Sequence, residues 1–166
     1  NTCATKVMEL YYAKPHIADR PDASSHADME GEIEFKNVSF HFDRQQVLFD
    51  VSLHVKPGET LAIMGPTGSG KTTLINLLAR CYDVTGGAIE VDGCNVKNWK
   101  LQELRGHLGV ATQDVFLFSD TVEGNIAFGN QKLTEEQVKE YARIADADEF
   151  ITKLSEGYDT LIGERG

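Results

Sequence analysis

The stretch that most constrains this chain is GPTGSGKTT, Gly65 to Thr73. It carries Gly65, Gly70, Lys71 and Thr72 in the order G-x-x-x-x-G-K-[ST], with Gly68 as an extra loop glycine, between the apolar run Leu61 to Met64 and the helical pattern TTLINLLARCY. A loop built this way turns backbone N–H groups into a concave nest, and the following helix adds its unpaired donors and positive dipole end. Glycine is needed there because side chains would block a closely approaching anion. The pattern predicts a phosphate cradle in which Thr67, Gly68, Ser69 and Gly70 line the loop. Lys71 reaches the β- and γ-phosphates of a nucleotide, the Thr72 hydroxyl coordinates Mg²⁺, and Thr73 donates to the α-phosphate.

The surrounding pattern predicts an α/β fold. Val47, Phe49, Val51, Leu53 and Val55 alternate, which predicts a strand with one buried face. In the run before it, Ile33 and Phe35 lie on one parity and Val38 and Phe40 on the other, which predicts a bulge near Asn37. Leu61 to Met64 is continuously apolar and reads as a strand covered on both faces of a parallel sheet. Ala88 to Val91 and Leu108 to Ala111 read as further strands, with a helical turn over Leu101 to Arg105. Further on, Thr134 and Gln137 match a capping box, with Leu133 and Val138 as its hydrophobic staple. The helix behind them puts Val138, Tyr141, Ala142 and Ala145 on one face, and another segment through Phe150, Ile151 and Leu154 stops before Gly157.

At the start, Ala4, Val7, Met8 and Tyr11 share one helical face, and Pro15 discourages continuation. The polar stretch ADRPDASSHADMEG from Ala18 to Gly31 has the composition of a linker. Three parts are therefore expected: residues 1–18 as a connector helix, 19–31 as a linker, and 32–166 as the compact domain. The chain begins at Asn1 and ends in GERG, as an excerpt of a longer polypeptide would.

Composition excludes several classes. A formal charge of −10, from 26 acidic against 16 basic residues, without any local basic block, argues against nucleic acid or an anionic membrane surface as partner. Cys3, Cys81 and Cys94 have no CxxC spacing, so neither a disulfide framework nor a zinc site is expected and a reducing compartment fits best. No apolar run approaches the roughly 18 residues of a membrane-spanning helix, so direct membrane insertion of this piece is not expected. His41, His54 and His107 lack ligand spacing and read as structural.

With these motifs in place, the chain resembles the nucleotide-binding domain of ABC transporters, of the exporter kind in which a membrane domain precedes it. The resemblance rests on GEIEFKNVSFHF and VLFDVSLHVKPGET as an antiparallel opening, GPTGSGKTT as Walker A, GVATQDVFLFSDTVEGNIAFG as the Q-loop region, and GYDTLIGERG as the approach to the signature motif. It implies a P-loop NTPase core with a RecA-like parallel sheet, an antiparallel β subdomain and part of an α-helical subdomain. It also implies ATP and Mg²⁺ as ligands. Phe42 matches the position whose aromatic ring stacks on adenine, although a strand-end core phenylalanine has the same sequence signature. Gln113 matches the Q-loop glutamine that ligates Mg²⁺ or positions the attacking water. Val115 to Phe118 reads either as core or as a surface that docks a coupling helix of the membrane domain. The chain departs from the family at TLIGERG, where Leu161 stands at a position that commonly holds glutamate.

The signature sequence, the Walker B aspartate with its catalytic glutamate, the D-loop and the switch histidine are expected beyond Gly166. The resemblance implies two such domains meeting head to tail at the cytoplasmic face of a membrane, each ATP held between the cradle of one and the signature of the other. The 166 residues themselves are expected to grip Mg·ATP without hydrolysing it. A binding-only ABC subunit acting as a nucleotide-responsive interaction module is the alternative. A soluble P-loop kinase is disfavoured, because no arginine cluster follows Gln113.

Overall fold

The computed structural model describes residues 8, 11–13, 15–26, 28–113 and 116–163. The chain divides into two compact units, Asn1–Val110 and Ala111–Gly166.

The first unit is built on an antiparallel sheet of four strands, β1 (Ile33–Phe42), β2 (Gln45–Val55), β3 (Gly86–Val91) and β4 (Cys94–Asn95), in the order β2-β1-β3-β4. Helix α1 (Lys71–Leu78) lies between β2 and β3 in the chain, and α2 (Leu101–Gly106) follows a 3₁₀ turn at Val96–Asn98. Phe35, Val38, Phe40, Leu48, Leu74, Leu77, Ile89, Val91, Val96, Trp99 and Leu104 form one buried cluster.

The sheet is kinked at the expected place. Phe35 pairs with Leu53 and Val38 with Val51, so β1 carries one extra residue there, and Asn37 takes a left-handed φ of 49°. Two residues later β2 returns the favour with an extra residue of its own, since Val38 pairs with Val51 but Phe40 with Leu48, and Asp50 takes φ 50°. Side chains stitch the two kinks together: Asn37 Nδ2 donates to Asp50 Oδ1 at 2.8 Å, Asn37 N to Ser52 Oγ at 2.9 Å and Asp50 N to Ser39 Oγ at 3.0 Å. Asparagine and aspartate are suited to this, because they tolerate the left-handed region and bond locally.

The second kink corrects the alternation read from the sequence. Val51, Leu53 and Val55 keep their parity, but Leu48 is buried in place of Phe49, which is 79% exposed. A single inserted residue switches every side chain beyond it to the other face.

Leu61 to Met64 was expected as a strand of a parallel sheet and Leu108 to Ala111 as a further strand; neither is a strand in the structure, and neither has a ladder partner among the described residues. Leu61, Ile63 and Met64 are exposed rather than covered on both faces. A continuous apolar run becomes a central strand only when strands flank it and layers cover it.

The polar segment expected as a linker is bound along the first unit. Arg20 Nη1 donates to Asn98 Oδ1 at 3.1 Å, Ser24 forms a parallel bridge with Trp99, and the His26 ring lies 4.4 Å from the Trp99 ring. Asp19 Oδ1 accepts from the backbone N of Leu101 at 2.8 Å, next to the start of α2. The Asp92 carboxylate gathers three successive N–H groups, from Glu30, Gly31 and Glu32. Of the expected connector helix, Met8, Tyr11 and Tyr12 are helical and exposed; Ala4 and Val7 lie outside the described residues.

The second unit contains β5 (Asp120–Thr121), α3 (Val122–Ile126), α4 (Glu135–Ile144), α5 (Asp148–Ile151), a 3₁₀ turn at Gly157–Asp159 and β6 (Leu161–Ile162), with β5 and β6 antiparallel. The capping box is present at α4: Thr134 Oγ1 accepts from Gln137 N, and Gln137 Oε1 accepts from Thr134 N. Val138 and Ala142, one turn apart, are the buried stripe, while Tyr141 and Ala145 remain exposed. Val122, Ala142 and Ile151 form the unit's core, joined by Ile126, Ala147, Tyr158 and Ile162. Asp148 Oδ1 accepts the Tyr158 hydroxyl at 2.6 Å. Burial and the neighbouring carboxylate push that phenol up to about 12.

The double kink requires glycine at one facing position. Gly87 has φ 75°, and a Cβ there would lie 2.3 Å from the carbonyl oxygens of both Lys36 and Asn37. Gly58 has a similar φ of 73° but open space around it. Gly87→Ala is expected to lower unfolding free energy by roughly 3 kcal/mol and Gly58→Ala by roughly 1 kcal/mol, read from urea denaturation midpoints. Equal losses would show that backbone conformation alone, not the close approach of β1, dictates Gly87.

Candidate functional site: a glycine loop at a helix start

Helix α1 begins directly out of the glycine loop. Gly70 is its N-cap with φ 87° and ψ 9°, a left-handed conformation natural to glycine. No side chain caps the helix, and its first turn holds no acidic residue. Leu74 N bonds to Gly70 O at 3.1 Å, closing the first turn. The N–H groups of the residues before Leu74 therefore have no intrahelical acceptor, which is the donor set an anion requires.

The loop is shaped from within by Lys71. Its ammonium donates to Gly65 O and Pro66 O, each at 2.8 Å, and lies 3.3 Å from Ser69 Oγ. These acceptors are neutral, and no ion pair to this ammonium is made among the described residues. Gly68, with φ 83° and nothing within 4 Å of a notional Cβ, bends the open side of the loop. At Gly65 a Cβ would sit 2.7 Å from Ser69 Oγ. Val47, Gly68, Gly70, Lys71, Thr72 and Thr73 line a hollow of about 160 Å³. That holds phosphate groups but not a whole nucleotide, so the remainder of such a ligand must lie along the neighbouring surface.

The neighbouring surface is the β1–β2 hairpin. A Cβ on Gly70 would meet Leu48 Cδ2 at 2.7 Å and Val47 O at 3.3 Å, so β2 leans directly on the helix start. Phe40 pairs with Leu48 and Phe42 with Gln45, which puts Phe42 at the tip of this same hairpin. Its ring is 43% exposed and edge-on to Phe40, at 4.7 Å between centroids. Of the two sequence readings, a buried core phenylalanine does not fit this exposure.

Gln113 lies in an exposed bend of the second unit. Asp114 and Val115 lie outside the described residues; Phe116 is 61% exposed and Phe118 38% exposed. Phe118 stacks on Phe128 with centroids 3.9 Å apart and planes at 16°, and Phe116 meets Phe118 edge-on. The aromatic run is a surface rather than core. Phe128 was not singled out in the sequence, because nothing local marks a residue ten positions away as its stacking partner. Val47 was likewise missed as a wall of the phosphate hollow. Leu161 is exposed on β6, and Glu164 and Arg165 lie outside the described residues. The histidines find ordinary contacts: His54 Nε2 is 2.7 Å from Glu32 Oε1, and His107 Nδ1 is 2.8 Å from Glu103 O.

A phosphate-binding loop opening an otherwise uncapped helix, set against an antiparallel hairpin, defines a nucleotide-binding P-loop protein. The comparisons specify the kind. Residues 48–163 match the ABC transporter family, and the chain belongs to it. It is 44% identical over 163 residues to the ATP-dependent lipid A-core flippase of Syntrophus aciditrophicus, covering 98% of this chain and 27% of that protein. It is 44% identical over 169 residues to the β-(1→2)glucan export ATP-binding/permease protein NdvA of Brucella suis, covering 99% of this chain and 28% of that protein. The structure of a bacterial Atm1-family ABC exporter with ATP bound superposes with a TM-score of 0.91 at 36% identity, over 98% of this chain and 28% of the exporter. The fold is that of an exporter nucleotide-binding domain, and the chain spans between a quarter and a third of the length of these relatives. Among the described residues no helix is long and apolar enough to cross a membrane.

Because the helix start is pressed against Leu48, Gly70→Ala is expected to be costly on two counts, strain at positive φ and a collision with packed apolar atoms. The loss is roughly 2–4 kcal/mol in stability. Gly68→Ala, strained but unobstructed, is expected to lose about 1 kcal/mol. Thermal melts of the two variants check the difference.

Proposed function

We propose that this chain is the ATP-gripping part of the motor domain of an ABC exporter. The observation that carries this reading is the Lys71 ammonium, bonded to neutral carbonyls and without an ion pair among the described residues, at the mouth of an uncapped helix start. Such a site has donors and positive charge, and among the described residues the acceptors on the ammonium are the neutral oxygens of Gly65, Pro66 and Ser69, which an incoming triphosphate displaces.

The residues present fit a Mg²⁺-bound nucleotide. Backbone N–H groups of Gly68 to Thr73 hold the phosphates, and Lys71 exchanges its bonds to the loop carbonyls for charge-assisted bonds to phosphate oxygens. In this reading the Thr72 hydroxyl, exposed at the second helical position, ligates Mg²⁺, with Thr73 beside it. The metal neutralises phosphate charge when bound. Phe42 offers its exposed ring to the base.

The exposed ring surface of Phe116, Phe118 and Phe128 is the proposed dock for a coupling helix of the membrane domain. An exposed cluster of stacked aromatic rings is the kind of patch that marks an interaction site in a soluble unit. In the whole protein, at the cytoplasmic face of its membrane, two such domains pair around ATP. Nucleotide binding and hydrolysis then drive export. Groups that orient water and stabilise the transferring phosphoryl charge come from the rest of the protein.

Labelled-ATP binding tests the reading. The chain is expected to bind Mg·ATP, and Lys71→Ala to weaken binding by roughly a hundredfold, as loss of a charged phosphate contact implies. Thr72→Val is expected to reduce affinity for Mg·ATP but not for ATP in excess chelator. The chain alone is expected to show no ATP hydrolysis above background. Turnover that survives purification and disappears in the Lys71 variant would overturn this account of which groups the chain supplies.

A further inference from the structure

We propose that Tyr82 is a positioning residue for nucleotide recognition, holding the Phe42 ring in the orientation in which it receives the base. This rests on the reading of Phe42 given above.

A side chain at a hairpin tip ordinarily samples several rotamers, and a freely turning ring must be ordered before it stacks. Phe42 is boxed in instead. Phe40 stands edge-on to it at 4.7 Å and 86°, and Tyr82 edge-on at 5.1 Å and 88°. Tyr82 also lies 5.7 Å from Phe40, so the three rings close a triangle with one buried corner, Phe40 at 3% exposure. Phe42 and Tyr82 both line one cavity of about 530 Å³, bordered as well by His41, Asp43 and Asp83. That volume accommodates a purine.

Tyr82 itself lies outside any helix or strand. The backbone around it is fixed by Arg80 and Asp83, which bracket it. Arg80 takes φ 51° just beyond α1 and is 3% exposed. Its Nε bonds to Asp83 Oδ1 at 3.0 Å and its Nη2 to Ala18 O at 3.1 Å. Arg105 Nη2 donates to Arg80 O at 2.8 Å. A strained, buried arginine needs several such bonds to persist. Their combined effect is to present Tyr82 to the hairpin tip. The helix that starts at the phosphate hollow thus leads, at its other end, into the support for the base-stacking ring.

The experiment compares Mg·ATP with Mg·tripolyphosphate, which carries the phosphates without a base, by titration calorimetry on the whole chain. Tyr82→Leu and Tyr82→Ala are expected to weaken ATP roughly three- to tenfold, as loss of an aromatic pair implies. Tripolyphosphate affinity is expected to stay within about twofold, and Tyr82→Phe to restore ATP binding, since the ring and not the hydroxyl makes the contact. If both ligands weaken in parallel, or Tyr82→Leu binds ATP as the parent does, Tyr82 has no positioning role. Phe42→Ala separates the two ideas, with an expected selective loss of ATP of roughly tenfold or more. No loss in Phe42→Ala overturns the base-stacking reading and this inference together. Selective loss in Phe42→Ala with no change in the Tyr82 variants overturns this inference alone.

Discussion

The contact on which the first unit depends is the one between Gly70 and the side of β2. A residue with a side chain at that point would collide with Leu48 and Val47, and an L-residue would resist the left-handed conformation that starts α1. Glycine there lets the sheet close on the helix start. Three consequences follow from the one contact. Leu48 is buried and sets the register of the hairpin, Val47 becomes a wall of the phosphate hollow, and Phe42 at the hairpin tip is tied to the same body as Lys71. Packing and ligand geometry are therefore a single problem in this unit.

The paired kinks at Asn37 and Asp50 serve the same end. Each alone would rotate the remainder of its strand out of register with its neighbour. Together they shift the parity of both strands at adjacent places, so Val38 and Phe40 point inward and Leu48 follows them. Gly87 accepts the kink on the other side by giving up its side chain to the carbonyls of Lys36 and Asn37. The second unit has a simpler logic, a capped amphipathic helix packing Val138 and Ala142 inward while three phenylalanine rings remain at its surface.

Local rules were read correctly wherever a feature is satisfied within a few residues. The capping box closes over Thr134 to Gln137, the loop glycines precede α1, and the bulge near Asn37 follows from a parity change visible in a strand of ten residues. Phe49 was misread because the inserted residue at Asp50 is paired with a kink in the other strand, and strict alternation gives no hint of it. Leu61 to Met64 was misread for a different reason. Apolar character states that a segment can be buried, but ladder partners decide whether it is a strand, and among the described residues it has none. The polar segment before Glu32 looked like a linker by composition, yet its backbone and side chains bond to Asn98, Trp99, Leu101 and Asp92, residues 61 to 82 positions away.

By itself the sequence determined the glycine loop that opens a helix with Lys and Thr at its start, and it determined the family through motifs spread along the chain. Tertiary structure alone decided what stands beside the cradle. Whether Lys71 is paired with a carboxylate or with neutral carbonyls, whether Phe42 is core or exposed, and which ring supports it depend on approaches between distant segments. Those approaches are selected by packing and by backbone kinks in neighbouring strands, which no short-range pattern records.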